Sequence, residues 1–266
     1  MDRISIRKRP SGYPVMHQKW GKLLFIHWRV PFPTVRSLVP DSLSIDLHEG
    51  AAWIGVVPFT MWDVHPSLTP ALPGLSAFHE LNVRTYVHRD GVPGVYFLSL
   101  DASLPLAVWA ARRFYHLPYY TARIQLRESA GEIDYHSRRV HKGALPAGFR
   151  ARWQPTSPLP PTEPGSLEFF LTERYCLYTE HRGRLYRCRI HHPPWPLNDV
   201  RLDELDTDLL ASHGIPEPDE PPLLHAVNAI AVDIWPLSPV EAFSRTRSML
   251  RRITPDTGPE PGRRPI

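Results

Sequence analysis

Phe78-His79-Glu80-Leu81-Asn82-Val83-Arg84-Thr85-Tyr86-Val87 decides how this chain is read. Its polarity alternates with period two: Leu81, Val83 and Val87 share one face, and Glu80, Asn82, Arg84 and Tyr86 share the other, the pattern of a β-strand with one side on a core. On an open sheet the polar side would be a solvated surface. If the sheet closes on itself, the same residues line an interior with a carboxylate, an amide, a guanidinium and a phenol. That lining suits a small ligand carrying a carboxylate or a carbonyl, because Arg84 can grip a carboxylate bidentately and Glu80 can move a proton. His79 points the opposite way and reads as structural.

The neighbouring segments extend the sheet. After a turn at Arg89-Asp90-Gly91, Gly94 to Leu100 forms a hairpin partner for the Glu80 strand. Two further hairpins are expected, Thr121–Arg127 with Ile133–Arg139, and Leu167–Tyr178 with Leu185–Ile190. Upstream, Leu23–Val30 and Ala51–Phe59 are apolar runs bounded by Pro or Gly and read as buried strands. Helices should be few. One fits Pro33–Pro40, one runs from a Ser103 cap to about His116 with Pro118 beyond its end, and one covers Asp203–Ser212 with Gly214 as its stop. Five prolines between Gln154 and Gly165 imply an irregular loop inside one domain. The expected organisation is an extension over residues 1–14, a single β-rich domain over 15–240, and a flexible basic tail over 241–266.

Composition limits the partners. The chain has 266 residues, 42% hydrophobic and 22% charged, which fits a folded globular domain and disfavours disorder. Its formal charge is +4, and residues 245–266 alone hold six arginines against Asp256 and Glu260. The body is therefore neutral, and no nucleic-acid partner is expected. No apolar run is long enough for a membrane span, and the first ten residues lack the apolar stretch of a secretory signal. Two cysteines, Cys176 and Cys188, read as packed, reduced thiols in a cytoplasmic protein. Glycine-rich phosphate loops, a Gly-x-Ser-x-Gly elbow and paired metal-ligand motifs are all missing, and His191-His192 would point to opposite faces of a strand. No cofactor or metal is expected, Glu173-Arg174 reads as a structural ion pair or a pocket contribution, and self-association is left open.

Several segments together resemble the YqjF-like family, a branch of the acetoacetate decarboxylase-like superfamily. They are Leu24-Phe25-Ile26-His27-Trp28-Arg29-Val30-Pro31, Ala52-Trp53-Ile54-Gly55-Val56-Val57-Pro58-Phe59, Glu80 to Val87, Leu98-Ser99-Leu100-Asp101-Ala102, Glu173-Arg174-Tyr175-Cys176-Leu177-Tyr178 and His192-Pro193-Pro194-Trp195-Pro196-Leu197. The resemblance implies a mainly β (α+β) fold, a strongly curved, mostly antiparallel barrel or cone around a small-molecule cavity, with a few short helices. In the decarboxylase branch a Lys-Lys pair follows a helix and a proline, and its first lysine forms an imine with the substrate ketone. The matching stretch here is Arg112-Arg113-Phe114-Tyr115-His116-Leu117-Pro118-Tyr119-Tyr120, with tyrosines at the lysine positions. A phenol cannot form an imine, and the four lysines, Lys8, Lys19, Lys22 and Lys142, lie elsewhere in the sequence, so Schiff-base decarboxylation is not expected. Glu80 matches the superfamily's active-site glutamate. The candidate catalytic pair is therefore Glu80 as base and Tyr119 as hydrogen-bond donor or acid, with Arg84, Asn82, Tyr86, Arg112 and Tyr120 as substrate-binding residues. Three readings stay open: an imine-independent acid/base enzyme, a non-catalytic binding protein that keeps the cavity after losing the lysine, and, if Trp or Phe side chains fill the cavity, an interaction or scaffold protein; for Tyr119 and Tyr120 the alternative is that they merely pack a strand entrance.

Overall fold

The Glu80 strand is buried on both sides, and the connectivity of the sheet explains how. The computed structural model describes residues 1–241; from residue 242 on, the expected basic tail lies outside the described residues. Within them the strands are β1 (Met16–Val30), β2 (Ser44–Ile45), β3 (Ala52–Pro66), β4 (Phe78–Arg89), β5 (Val92–Ala102), β6 (Tyr119–Ser129) and β7 (Glu132–Arg139). They continue with β8 (Gly148–Pro158), β9 (Cys176–His181), β10 (Arg184–His191), β11 (Asn198–Thr207), β12 (Leu223–Ile234) and β13 (Ser238–Pro239). The order β13-β10-β9-β5-β6-β7-β8-β11-β12-β1-β3-β4-β2 is closed by the additional pairings β5–β4 and β10–β12. Two circuits result. One runs through β6, β7, β8 and β11, the other through β9 and β10, and both share β12, β1, β3, β4 and β5. Most pairings are antiparallel, but β5 meets β6 and β9 in parallel.

A shared strand must bury both faces. Leu81, Val83 and Val87 of β4 pack with Ile26, Ile54, Tyr135 and Trp153 on one side. On the other, Tyr86 packs with Trp53 and Phe170, and Phe25, Phe59 and Trp195 form a neighbouring cluster. The three hairpin turns, Asp90-Gly91, Ala130-Gly131 and Arg182-Gly183, have positive φ at both positions, the backbone that matches the right-handed twist of the strands they join.

Five local expectations change. Ser166 accepts from the Phe169 N–H and caps a helix, α3 (Leu167–Thr172), so only Cys176–His181 of the expected second-hairpin strand is extended. Residues 203–207 belong to β11 and not to a helix; only Leu209–Ser212 is helical. A register shift between Leu202 and Glu204 lets Leu202 and Leu205, three residues apart, pack on the same side of the strand, so period-two alternation is broken there. The proline-rich segment stays in β8 as far as Pro158, where a second register shift opposite Asn198–Val200 accommodates it. The helix after Ser103 is α for Pro105–Ala110 and then a π turn, Ala111–Tyr115, stopped by His116 at φ 54°. Ser103 accepts from the His79 N–H and does not cap it, and Leu106, Trp109 and Phe114 are exposed. Glu173 and Arg174 do not pair with each other: Glu173 faces Arg7 at 3.6 Å, and Arg174 faces Asp46 at 2.6 Å.

Residues 1–14 are strapped to the domain. Arg3, Arg7 and Arg9 pair with Asp46, Glu173 and Asp233, and their guanidiniums lie 5.0, 5.5 and 5.0 Å from the rings of Phe170, Phe169 and Trp235.

Candidate active site

Period-two geometry carries Glu80, Asn82, Arg84 and Tyr86 to one side of β4, and closure of the second circuit takes that side out of water. Their exposures are 3, 4, 8 and 0%. The solvated-surface reading is thereby excluded. Tyr119 opens β6 beside β5 and reaches across it, so that its hydroxyl donates to Glu80 Oε2 at 2.7 Å. Asn82, two residues along the same face, helps to hold the charged form of this carboxylate, and Tyr135 donates to the Glu80 backbone carbonyl at 2.8 Å. Burial pushes the Glu80 carboxyl from 4.5 up to about 7, with Tyr119 and Asn82 opposing that rise and Asp101 adding to it. Burial, then the neighbouring carboxylate, drives the Tyr119 phenol well above its usual 10. Near neutral pH the site thus holds a carboxyl able to take or give a proton and a phenol that keeps its own.

Arg84 extends the row. Its Nη2 donates to the Leu171 carbonyl at 3.3 Å, and its guanidinium lies 5.2 Å from the Phe25 ring and 5.8 Å from the Tyr86 ring. The Tyr86 hydroxyl meets His27 Nε2 at 2.7 Å. This contact forms over Gly55, where a Cβ would stand 3.0 Å from His27 Cδ2 and 3.3 Å from the Tyr86 oxygen. Gly55 is register partner to both His27 and Arg84, which makes it the floor between them.

Arg112 and Tyr120 do not join this group. Arg112 donates to the Tyr119 carbonyl at 2.7 Å and so fixes the start of β6 from outside. Tyr120 alternates to the other side of its strand, where the Arg139 guanidinium lies 4.4 Å from its ring. Both border a separate, open pocket of about 410 Å³ with Tyr96, His116, Thr179 and His181. None of the four lysines is buried, and Lys19 and Lys22 pair with Asp63 and Glu128. His192 is buried against Tyr175 and Trp195 as a packing residue. Cys176 and Cys188 are both free and buried. His27, His225 and Gly55 were not singled out from the sequence; the available signals were a lone histidine within Leu23–Trp28 and a glycine in the middle of an apolar strand.

This doubly closed sheet with a polar row inside is of the acetoacetate decarboxylase-like type. It is similar to the enduracididine biosynthesis enzyme MppR complexed with pyruvate, with 14% identity and a TM-score of 0.59 over 88% of this chain and 93% of that one. It is also similar to an acetoacetate decarboxylase-like enzyme from Sphingomonas wittichii RW1, with 11% identity and a TM-score of 0.59 over 87% of this chain and 94% of that one. At such identities the likeness is one of fold. The chain belongs to the DUF2071 family, described as an uncharacterized conserved protein, which matches residues 17–231. It is 42% identical over 228 residues to the uncharacterized protein YqjF of Bacillus subtilis (strain 168), covering 86% of this chain and 93% of that one. The family and fold expected from the sequence are both found.

Proposed function

We propose that this protein converts a small carbonyl- or carboxylate-bearing molecule inside the sheet by acid/base chemistry that needs no imine. The observation that supports this reading most strongly is the Glu80–Tyr119 pair: a buried carboxyl shifted to about 7, in contact at 2.7 Å with a protonated phenol. In the step proposed, the Glu80 carboxylate takes a proton from the carbon next to the carbonyl. The C–H electron pair becomes the C=C bond, and the carbonyl π pair moves to the oxygen, where the Tyr119 O–H stabilises the enolate. Return of the proton to either face or to another carbon completes an exchange or an isomerisation. Asn82 and Arg84 orient the ligand. Arg112 and Tyr120 have no part in this step, since they border the outer pocket. The same reading keeps a cytoplasmic protein with a small organic partner and no nucleic acid. No described helix is long and apolar enough to cross a membrane.

The test is deuterium incorporation into pyruvate, 2-oxobutyrate and acetone in D₂O, followed by proton NMR. The protein is expected to accelerate exchange of at least one of them, with the rate rising through about pH 7 as Glu80 ionises. Glu80→Gln is expected to lower that rate by about 100-fold or more, and Tyr119→Phe to lower it by a smaller factor. Exchange unchanged in both variants contradicts the proposal. Binding without exchange points to the non-catalytic binding protein.

A further inference from the structure

The outer pocket lies where the sheet forks. β4 runs along one edge of β5 from Val92 to Ala102, so β6 and β9 must share the other. β9 pairs there with Val95 and Tyr96, and β6 with Leu100, Asp101 and Ala102. Phe97, Leu98 and Ser99 between them have no strand alongside on that edge. The gap opens a cavity of about 410 Å³, within the roughly 300–1,000 Å³ of small-molecule sites, and the rings of Tyr96, Phe97 and Tyr120 line it.

Two opposite charges border this cavity: Arg112 from the π turn and Glu180 from the end of β9. Arg112 spends Nη1 on the Tyr119 carbonyl, and Glu180 accepts at Oε2 from the Ser42 hydroxyl at 3.0 Å. Both partners are neutral, and among the described residues neither charge enters an ion pair. The elements that carry the two charges are nevertheless tied together. Thr179 Oγ1 donates to the His116 carbonyl at 2.8 Å, and the His116 and His181 rings stack 3.9 Å apart at 5°. His116 holds φ 54°, a left-handed backbone that costs a residue with a Cβ, and it directly follows the π turn. Such irregularities concentrate at functional sites, and here the Thr179 bond pins them against β9.

We propose that this fork binds a small zwitterion carrying an aromatic ring, an aromatic amino acid or a short peptide ending in one. The carboxylate meets the Arg112 nitrogens that Tyr119 does not use, the ammonium meets Glu180, and the ring lies among Tyr96, Phe97 and Tyr120. A ligand with one charge leaves the other side chain without a partner, which is the basis of selection. The site stands apart from the function proposed above, because Tyr119 and Tyr120 leave β6 on opposite sides and only Tyr119 reaches Glu80.

The probes are L-phenylalanine and glycyl-L-phenylalanine, and the controls are 3-phenylpropionate, which lacks the ammonium, and phenethylamine, which lacks the carboxylate. At least one zwitterion is expected to raise the Tm of the full chain saturably and to bind by calorimetry at least tenfold more tightly than either control; which of the two binds tells amino acid from peptide. Glu180→Gln and Arg112→Met are each expected to weaken that binding at least tenfold. Glu180 is exposed, so its variant does not disturb the core. In the unsubstituted protein, imidazole ¹H–¹⁵N spectra are expected to show saturable shifts at His116 and His181, a readout that needs no variant to fold. Glu80→Gln is expected to leave the binding unchanged while it abolishes any exchange, which separates this site from the interior one. No binding of either zwitterion, equal binding of a control, or binding lost in Glu80→Gln and kept in Glu180→Gln overturns the proposal.

Discussion

Asp46→Ala is expected to destabilise the protein by about 3–5 kcal/mol, because it strands a buried guanidinium. Asp46 is 2% exposed and accepts from Arg3 Nη1, Arg3 Nη2 and Arg174 Nη1, each at 2.6 Å. Burial alone would raise its carboxyl, yet the two guanidiniums hold it below its usual 3.8. The contribution is thus present above about pH 4 and is lost as pH falls through the depressed value. Arg174 has nowhere else to place its charge: it lies 4.8 Å from the Tyr86 ring and 4.3 Å from the Phe170 ring, and its Nε already donates to the Phe170 carbonyl. For a domain of this size the loss corresponds to a drop in Tm of about 10 °C or more, read by calorimetry near pH 7. Arg3→Ala, which removes only the partly exposed partner, is expected to cost about 1 kcal/mol. Equal effects of the two substitutions would show that Arg174 is not the group held by Asp46.

Glu80→Gln should stabilise the protein at neutral and higher pH, although it destroys the proposed base. A carboxyl at about 7 in the fold and near 4.5 in the unfolded chain binds its proton more tightly when folded. Its contribution is therefore fully present below pH 4.5 and lost as pH rises to 7 and beyond. The shift corresponds to on the order of 3 kcal/mol across that window. Glutamine keeps the carbonyl oxygen that accepts from Tyr119 while removing the charge, so the variant escapes this loss. Measured by denaturant titration, the two proteins should be close in stability at pH 4.5 to 5 and should diverge toward pH 8 with the variant ahead. Parallel pH profiles would mean that Glu80 is an ordinary carboxylate.

The alternation around Glu80 was legible because period two depends only on local backbone geometry, and it assigned the residues of the polar row to one face correctly. The same rule, applied one residue further, separates Tyr120 from Tyr119; grouping the two followed adjacency in the motif, and the fold puts Tyr120 on the outer pocket. Arg112 was misplaced for a related reason, since a helix end near a site in sequence need not face it. Strand β11 was hidden because a bulge between Leu202 and Glu204 breaks its period-two alternation, and α3 by a run of bulky residues whose Ser166 cap carries the only local sign. The β4–β5 hairpin was legible from its turn, but the pairings of β5 with β9, of β1 with β12 and of β10 with β12 join distant segments, and no local pattern reports them. Those closures decide that the row is interior, and they bring His27 and His225 beside Arg84. A histidine in an apolar strand is a weak signal until the strand opposite is known.

The central claim is that a carboxyl poised near neutrality sits against a protonated phenol inside the closed sheet. The most direct measurement is a carbon-13 NMR titration of the glutamate side-chain carboxyls, with Glu80 assigned by the loss of its signal in Glu80→Gln. The account predicts a midpoint at about 7 for Glu80, moving further when Tyr119 is replaced by phenylalanine and its hydrogen bond to the carboxylate is lost. A midpoint near 4.5 that ignores Tyr119→Phe would contradict it.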